Sequence, residues 1–214
     1  MLDAGNCGAE KQFIDIRFFF AYNAFALMAT SLKEIVMSLG QMMLGEFDNE
    51  MQNTRKVLER VPDEKWNWKP HEKSGTLGWL ASHVGNLPGW ATMTLQTEEL
   101  DYAPVNGPSY TPPKITNRKE LLAEFDKNVV EARETISKAS DADMMKGWKL
   151  LAGGKEIFTM PRVACLRGMV FNHLIHHRAQ LTVYYRLLDV AVPGLYGPSA
   201  DEMTPPPAKA SASN

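Results

Sequence analysis

Five histidines, His71, His83, His173, His176 and His177, are the residues of this chain best suited to chemistry. His173 and His177 stand four positions apart, so in a helix their imidazoles lie one above the other and can bind one ion together. They belong to the line Val163, Leu166, Val170, His173, His177 and Tyr184, whose spacing marks an inward helix face. His176 points about 100° away from that line. His83 occupies the equivalent place in Leu80, His83, Leu87 and Trp90. Any one of these, taken alone, reads more readily as a core histidine with a single hydrogen bond than as a ligand. Three imidazoles turned into one small interior change that balance. Each would cost about 1–3 kcal/mol without a partner, and the inward faces offer few other polar groups. One divalent ion satisfies all three, so His83, His173 and His177 are the expected metal ligands, with His71 and His176 as bystanders.

Three neutral imidazoles leave an ion its full charge and at least one open position, which is the catalytic arrangement and suits Zn, Ni or Fe alike. A bound water would drop toward a neutral pKa and hydrolyse a substrate, whereas a bound thiol would lose its proton and become a nucleophile. Asn172 and Gln180 are candidates to orient a ligand or substrate. Arg178, off the metal line, would hold the carboxylate of a thiol cofactor or make a surface salt bridge. Trp66, Trp68, Trp90 and Tyr184 either wall a pocket or fill the core. Cys165 precedes His173 by two turns, about 12 Å along a helix, too far to join the metal.

The elements that must carry these residues are helical. Leu44, Phe47, Met51, Leu58 and Val61 keep one side of a first helix inward until Pro62 ends it. Ser74-Gly75-Thr76 offers a hydroxyl cap to a second helix expected to run unbroken to about Gln96. The stretch 97–115, with Pro104, Gly107, Pro108, Pro112 and Pro113, makes a long crossover connection. Asn117 and Glu120 resemble a capping box opening a third helix that ends near Ser140. Residues 148–159 read as a small hairpin around Gly153-Gly154. A fourth helix runs from Pro161 to about Asp189. The fold class expected is therefore all-α, a four-helix bundle with a long crossover connection and a small β-hairpin before the last helix.

Three regions follow: an N-terminal extension, 1–41, being either an extra helix or the product of a misplaced start; the metal-binding bundle, 42–200; and a disordered tail, 201–214. The extension contains an uncharged run, Phe18 to Leu32, of about 15 residues, short of the roughly 18 that a membrane span needs. Acidic residues within the leader and a poor cleavage pattern argue against a signal peptide. With 23 Lys and Arg against 25 Asp and Glu, the chain lacks the basic footprint of a nucleic-acid binder. The two cysteines form neither a disulfide framework nor a CxxC site. These features fit a cytoplasmic protein acting on a small molecule, without nucleic acid or membrane partners, and they admit a homodimer.

Three stretches carry a resemblance: Leu77-Gly-Trp-Leu-Ala-Ser-His83 with its following Trp90, Asn172-His173-Leu-Ile-His-His177-Arg178-Ala-Gln180, and Val192-Pro-Gly-Leu-Tyr-Gly-Pro-Ser199. Over roughly residues 43–200 the chain resembles the DinB family, the DinB/YfiT-like metalloenzyme bundles. Ala179 stands where the family pattern often has Gly, and the leader lies outside the pattern. The resemblance implies a divalent metal on one second-helix and two fourth-helix histidines, which map onto His83, His173 and His177. It also favours the thiol route, since DinB-like proteins include transferases and isomerases that use mycothiol, bacillithiol or glutathione. The function expected is a metal-dependent thiol S-transferase acting on small electrophiles. The alternatives are a metal-dependent hydrolase using metal-bound hydroxide and a non-catalytic metal-binding stress-response protein.

Overall fold

The computed structural model describes residues 37–203, so the expectations for the leader before Met37 and for the tail after Met203 lie outside the described residues. Four helical rods form a bundle. The first is α1, Leu39–Leu58. It starts earlier than the apolar pattern suggests because Ser38 and Gln41 form a reciprocal capping box, and the Leu39 N–H donates to Asp141 Oδ1 at 2.7 Å.

The second rod is two helices, α2, Leu77–Asn86, and α3, Gly89–Gln96. The expectation of one unbroken helix is corrected here. Pro88 has no N–H to continue the ladder, and it opens the first turn of α3 instead. The cap of α2 is Thr76, whose Oγ1 accepts the Trp79 N–H at 3.1 Å, and not Ser74.

The crossover connection contains an unexpected short strand, β1, Glu99–Asp101. The third rod is α4, Arg118–Lys138, capped by Asn117 as expected; the Glu120 carboxylate reaches back one residue further, to the N–H and Oγ1 of Thr116. A short helix α5, Asp141–Met145, leads into the hairpin of β2, Gly147–Ala152, and β3, Lys155–Pro161. Its turn needs left-handed backbone at Gly153 (φ 59°) and Gly154 (φ 74°), which glycine adopts without steric cost. Strand β1 adds to β2 in parallel, making a three-stranded sheet in the order β1-β2-β3. Asp101 fixes this junction by accepting the N–H groups of Ala103, Gly153 and Gly154.

The fourth rod is α6, Arg162–Cys165, a π-helical segment, Leu166–Asn172, and α7, His173–Leu187. The π segment changes which residues point inward. Bonding to the fifth residue adds one position per turn, so the buried line continues as Leu174, Arg178, Leu181 and Tyr185. His173, His177 and Tyr184 sit beside it, half-buried.

The helix α4 packs on α1, α2 and α3, while α7 packs on α1 and α2. Their shared core holds Phe47, Leu80, Val84, Leu121, Phe125, Leu166, Val170 and Phe171, and Phe47 meets Phe171 edge-on at 6.0 Å. The interior is also more polar than the apolar stripes imply, for Glu50, Asn53, Thr54, Asn128, Arg162 and Arg178 are all buried. After α7, the turn α8, Ala200–Met203, is pinned by the Asp201 carboxylate, which accepts from Arg186 at 2.8 and 3.0 Å and from the Val192 N–H. Among the described residues, no helix is long and apolar enough to cross a membrane.

Candidate metal centre

The helix α2 brings His83 opposite His173 and His177 on α7, at the open side of the α2–α7 contact. One ring nitrogen from each lies within 4.8 Å of the other two, and His83 Nε2 is 3.2 Å from His173 Nε2. The ring centroids are 4.7–4.9 Å apart. Three imidazoles this close, with no carboxylate among them, form a donor set that fits a divalent ion: the same lone pairs repel one another without a shared proton or cation.

Two of the rings are held by their far nitrogens. His173 Nδ1–H donates to the Met169 carbonyl at 3.3 Å, and His177 Nδ1–H donates to Gln180 Oε1 at 2.7 Å. With a carbonyl-type oxygen as partner, each Nδ1 carries the hydrogen, and in the Nδ1–H tautomer Nε2 is the lone pair free to bind an ion. The Gln180 amide in turn donates to His176 Nε2 at 3.0 Å, so the exposed His176 steadies Gln180. His83 is held by rings: Trp79 stacks on it at 5.4 Å and 6° between planes, and Trp90 meets it edge-on at 6.0 Å.

Burial, and then the neighbouring His173 and His177, push the His83 imidazolium down to about 4; burial and His177 lower His173 in the same direction. Both rings are therefore neutral near pH 7, the form that binds metal.

A cavity of about 560 Å³ opens above His83, walled by Trp66, Trp79 and Trp90 on the bundle side and by the crossover connection from Tyr110 to Ile115 on the other. Gly78 makes this wall possible, since a Cβ there would sit 2.2 Å from Trp66 Nε1. Lys114 is the cation lining it.

The remaining sequence candidates separate. Trp68 and Tyr184 pack against each other edge-on at 5.6 Å instead of walling the cavity. Asn172 is exposed, and His71 is exposed with Nδ1 accepting the Lys73 N–H at 3.1 Å. Cys165 is buried beside Thr94 Oγ1, 3.7 Å away, and burial raises its thiol pKa.

Arg178 is neither a surface residue nor a cofactor clamp. It is 1% exposed, donates to Glu50 Oε2 at 2.6 Å and to Thr54 Oγ1 at 3.0 Å, and also bonds the Tyr196 hydroxyl. The register change at the π segment turned it inward, and the closing Tyr196 loop covers it. Trp79 was not singled out in the sequence, although its place four residues before His83 put it on the same helix face.

A model of the DinB superfamily matches residues 46–181. The chain is 24% identical over 163 residues to YrdA of Bacillus subtilis, described only as an uncharacterised protein, covering 74% of this chain and 89% of the relative. Among solved structures it resembles a DinB-like protein from Bacillus cereus (TM-score 0.54, 24% identity, covering 76% of this chain and 100% of that one). It also resembles the DinB-like protein YjoA from Bacillus subtilis (TM-score 0.55, 14% identity, covering 74% and 99%). These likenesses support the bundle fold.

Proposed function

The chain belongs to the DinB superfamily, and on that premise we propose that it is a metal-dependent thiol S-transferase acting on small electrophiles, with His83, His173 and His177 as the metal ligands. The observation that carries the reading is the convergence of three imidazoles within 4.8 Å of one another, with the His83 ring of that set lining a cavity large enough for a small molecule. A divalent ion held there would supply a Lewis acid that lets a thiol ionise near neutral pH.

The chain's own residues do the rest. Met169 and Gln180 orient the ligand rings, while Trp79 and Trp90 keep bulk water from two sides of His83. Lys114 at the cavity wall, and not the buried Arg178, attracts a carboxylate on the thiol. The sulfur forms a new bond to the electrophilic carbon, the leaving group departs with the electron pair, and the thiol proton passes to water.

Conjugation of mycothiol, bacillithiol or glutathione to 1-chloro-2,4-dinitrobenzene, followed by absorbance, tests this directly. The expected result is turnover with at least one thiol, abolished by chelation and in His177→Ala. Elemental analysis should find metal lost from His83→Ala and His173→Ala and kept in His71→Ala and His176→Ala. Full metal occupancy in His173→Ala would overturn the ligand set. Thiol-independent ester hydrolysis lost in His177→Ala would replace the transferase by a hydrolase, and metal without turnover on all three thiols would leave a non-catalytic metal protein.

A further inference from the structure

A second cavity, of about 250 Å³, adjoins the histidine cluster. One wall is the face of the small sheet: Leu100 of β1 pairs with Leu150 of β2, and strand alternation puts Trp148 and Tyr102 on that same face. The opposite wall is helical, from Met93 and Thr94 of α3 and from Cys165 and Met169 of the last rod. Its floor is fixed, for Thr94 and Cys165 are 1% exposed and Trp148 is 2% exposed.

The polar groups of that floor are already engaged. The Thr94 hydroxyl and the Cys165 thiol bond each other, and Trp148 Nε1–H donates to Thr97 Oγ1 at 3.0 Å. Among the described residues lining it, none carries a charge. A pocket with these properties takes an uncharged apolar group, because a polar one would lose its hydration without gaining a partner.

Size narrows the class. A dry cavity of roughly 150 Å³ accepts benzene, so this one, at about 250 Å³, fits a single ring with one or two small substituents. Position links it to the chemistry. Trp90 and Tyr110 line both cavities, the Trp90 ring lies 5.6 Å from that of His173, and Met169 lines the pocket with its side chain's residue while its carbonyl holds His173. We infer that this pocket binds the apolar ring of the substrate, so that the electrophiles handled at the histidine cluster are neutral, single-ring aromatic compounds. The reactive part of this statement rests on the transferase reading, whereas the binding part does not.

Fluorobenzene is an unreactive probe of the pocket, and its binding is read by 19F NMR on the full chain. Saturable binding is expected in the wild type and equally after chelation, and at least tenfold weaker binding in Leu100→Trp and Met93→Trp. These two variants fill the cavity from opposite walls, and circular dichroism selects the folded one if either fails. Absence of saturable binding, or equal binding by a folded filled variant, overturns the inference even if metal and conjugation are found. In the conjugation assay, the ratio of kcat/KM for benzyl chloride to that for iodoacetamide should fall at least tenfold in the same variants; an unchanged ratio overturns the assignment of the ring to this pocket. If no thiol is ever conjugated, the NMR result still decides the pocket, so the two readings fail separately.

Discussion

Replacing Gln180 by leucine removes the oxygen that fixes His177 while keeping most of the side-chain volume. In the wild type that oxygen accepts the Nδ1–H at 2.7 Å, which orients the ring and makes Nε2 a better donor. Loss of such a partner typically costs about 10–100-fold in metal affinity. Gln180 is exposed, so water replaces part of the interaction, and the expected loss lies at the lower end, about tenfold or ~1.4 kcal/mol. The fold itself should barely change, because exposed substitutions usually stay within about 0.5 kcal/mol. Competition of the protein with a chromophoric chelator gives the affinity, and thermal unfolding of the chelator-treated protein gives the stability. Gln180→Glu, a stronger acceptor, should tighten binding instead. An unchanged affinity in Gln180→Leu, or the same loss in both variants, would refute the claim that this hydrogen bond prepares the metal ligand.

Arg178→Ala leaves the Glu50 carboxylate buried without its cation, and the expected cost is about 3–5 kcal/mol in denaturant unfolding, with metal affinity retained in the folded fraction; a loss under 1 kcal/mol would mean the pair is solvated. Gly78→Ala should destabilise by about 1–3 kcal/mol despite alanine's better helix propensity, because the new methyl meets the Trp66 ring; a stabilised variant would show that Trp66 moves freely. In the metal-free protein, His83 titrates at about 4 when folded and at about 6.5 when unfolded. The unfolded state thus binds more protons between those values, so its contribution to stability is complete above about pH 6.5 and is lost as pH falls toward 4. Chelator-treated wild type should lose Tm over that window and His83→Leu should lose less; equal pH profiles would contradict the buried neutral imidazole. The carboxylates of Asp143 and Asp201, held down to about 2 chiefly by Lys146 and Arg186, add their own loss only at lower pH.

The bundle and the three converging histidines were legible in the chain because both depend on local periodicity. A four-residue spacing puts His173 and His177 on one face of any helical turn, and the apolar steps around Leu80 and Leu87 place His83 on its helix whatever surrounds it. The hairpin was legible for the same reason, since Gly153 and Gly154 carry their turn with them. What depended on contacts between distant segments was not. Strand β1 is three residues long and partly acidic, and it exists because β2 pairs with it from across the fold. The π segment has no sequence period of its own, yet its extra residue per turn decides that Arg178 is buried against Glu50 while His173 and His177 stay half-buried beside that line. The spacing of the three histidines is a property of the chain. The depth of their pocket, the walls of the apolar cavity beside it and the partners of its polar groups are set only when helix, sheet and crossover connection meet.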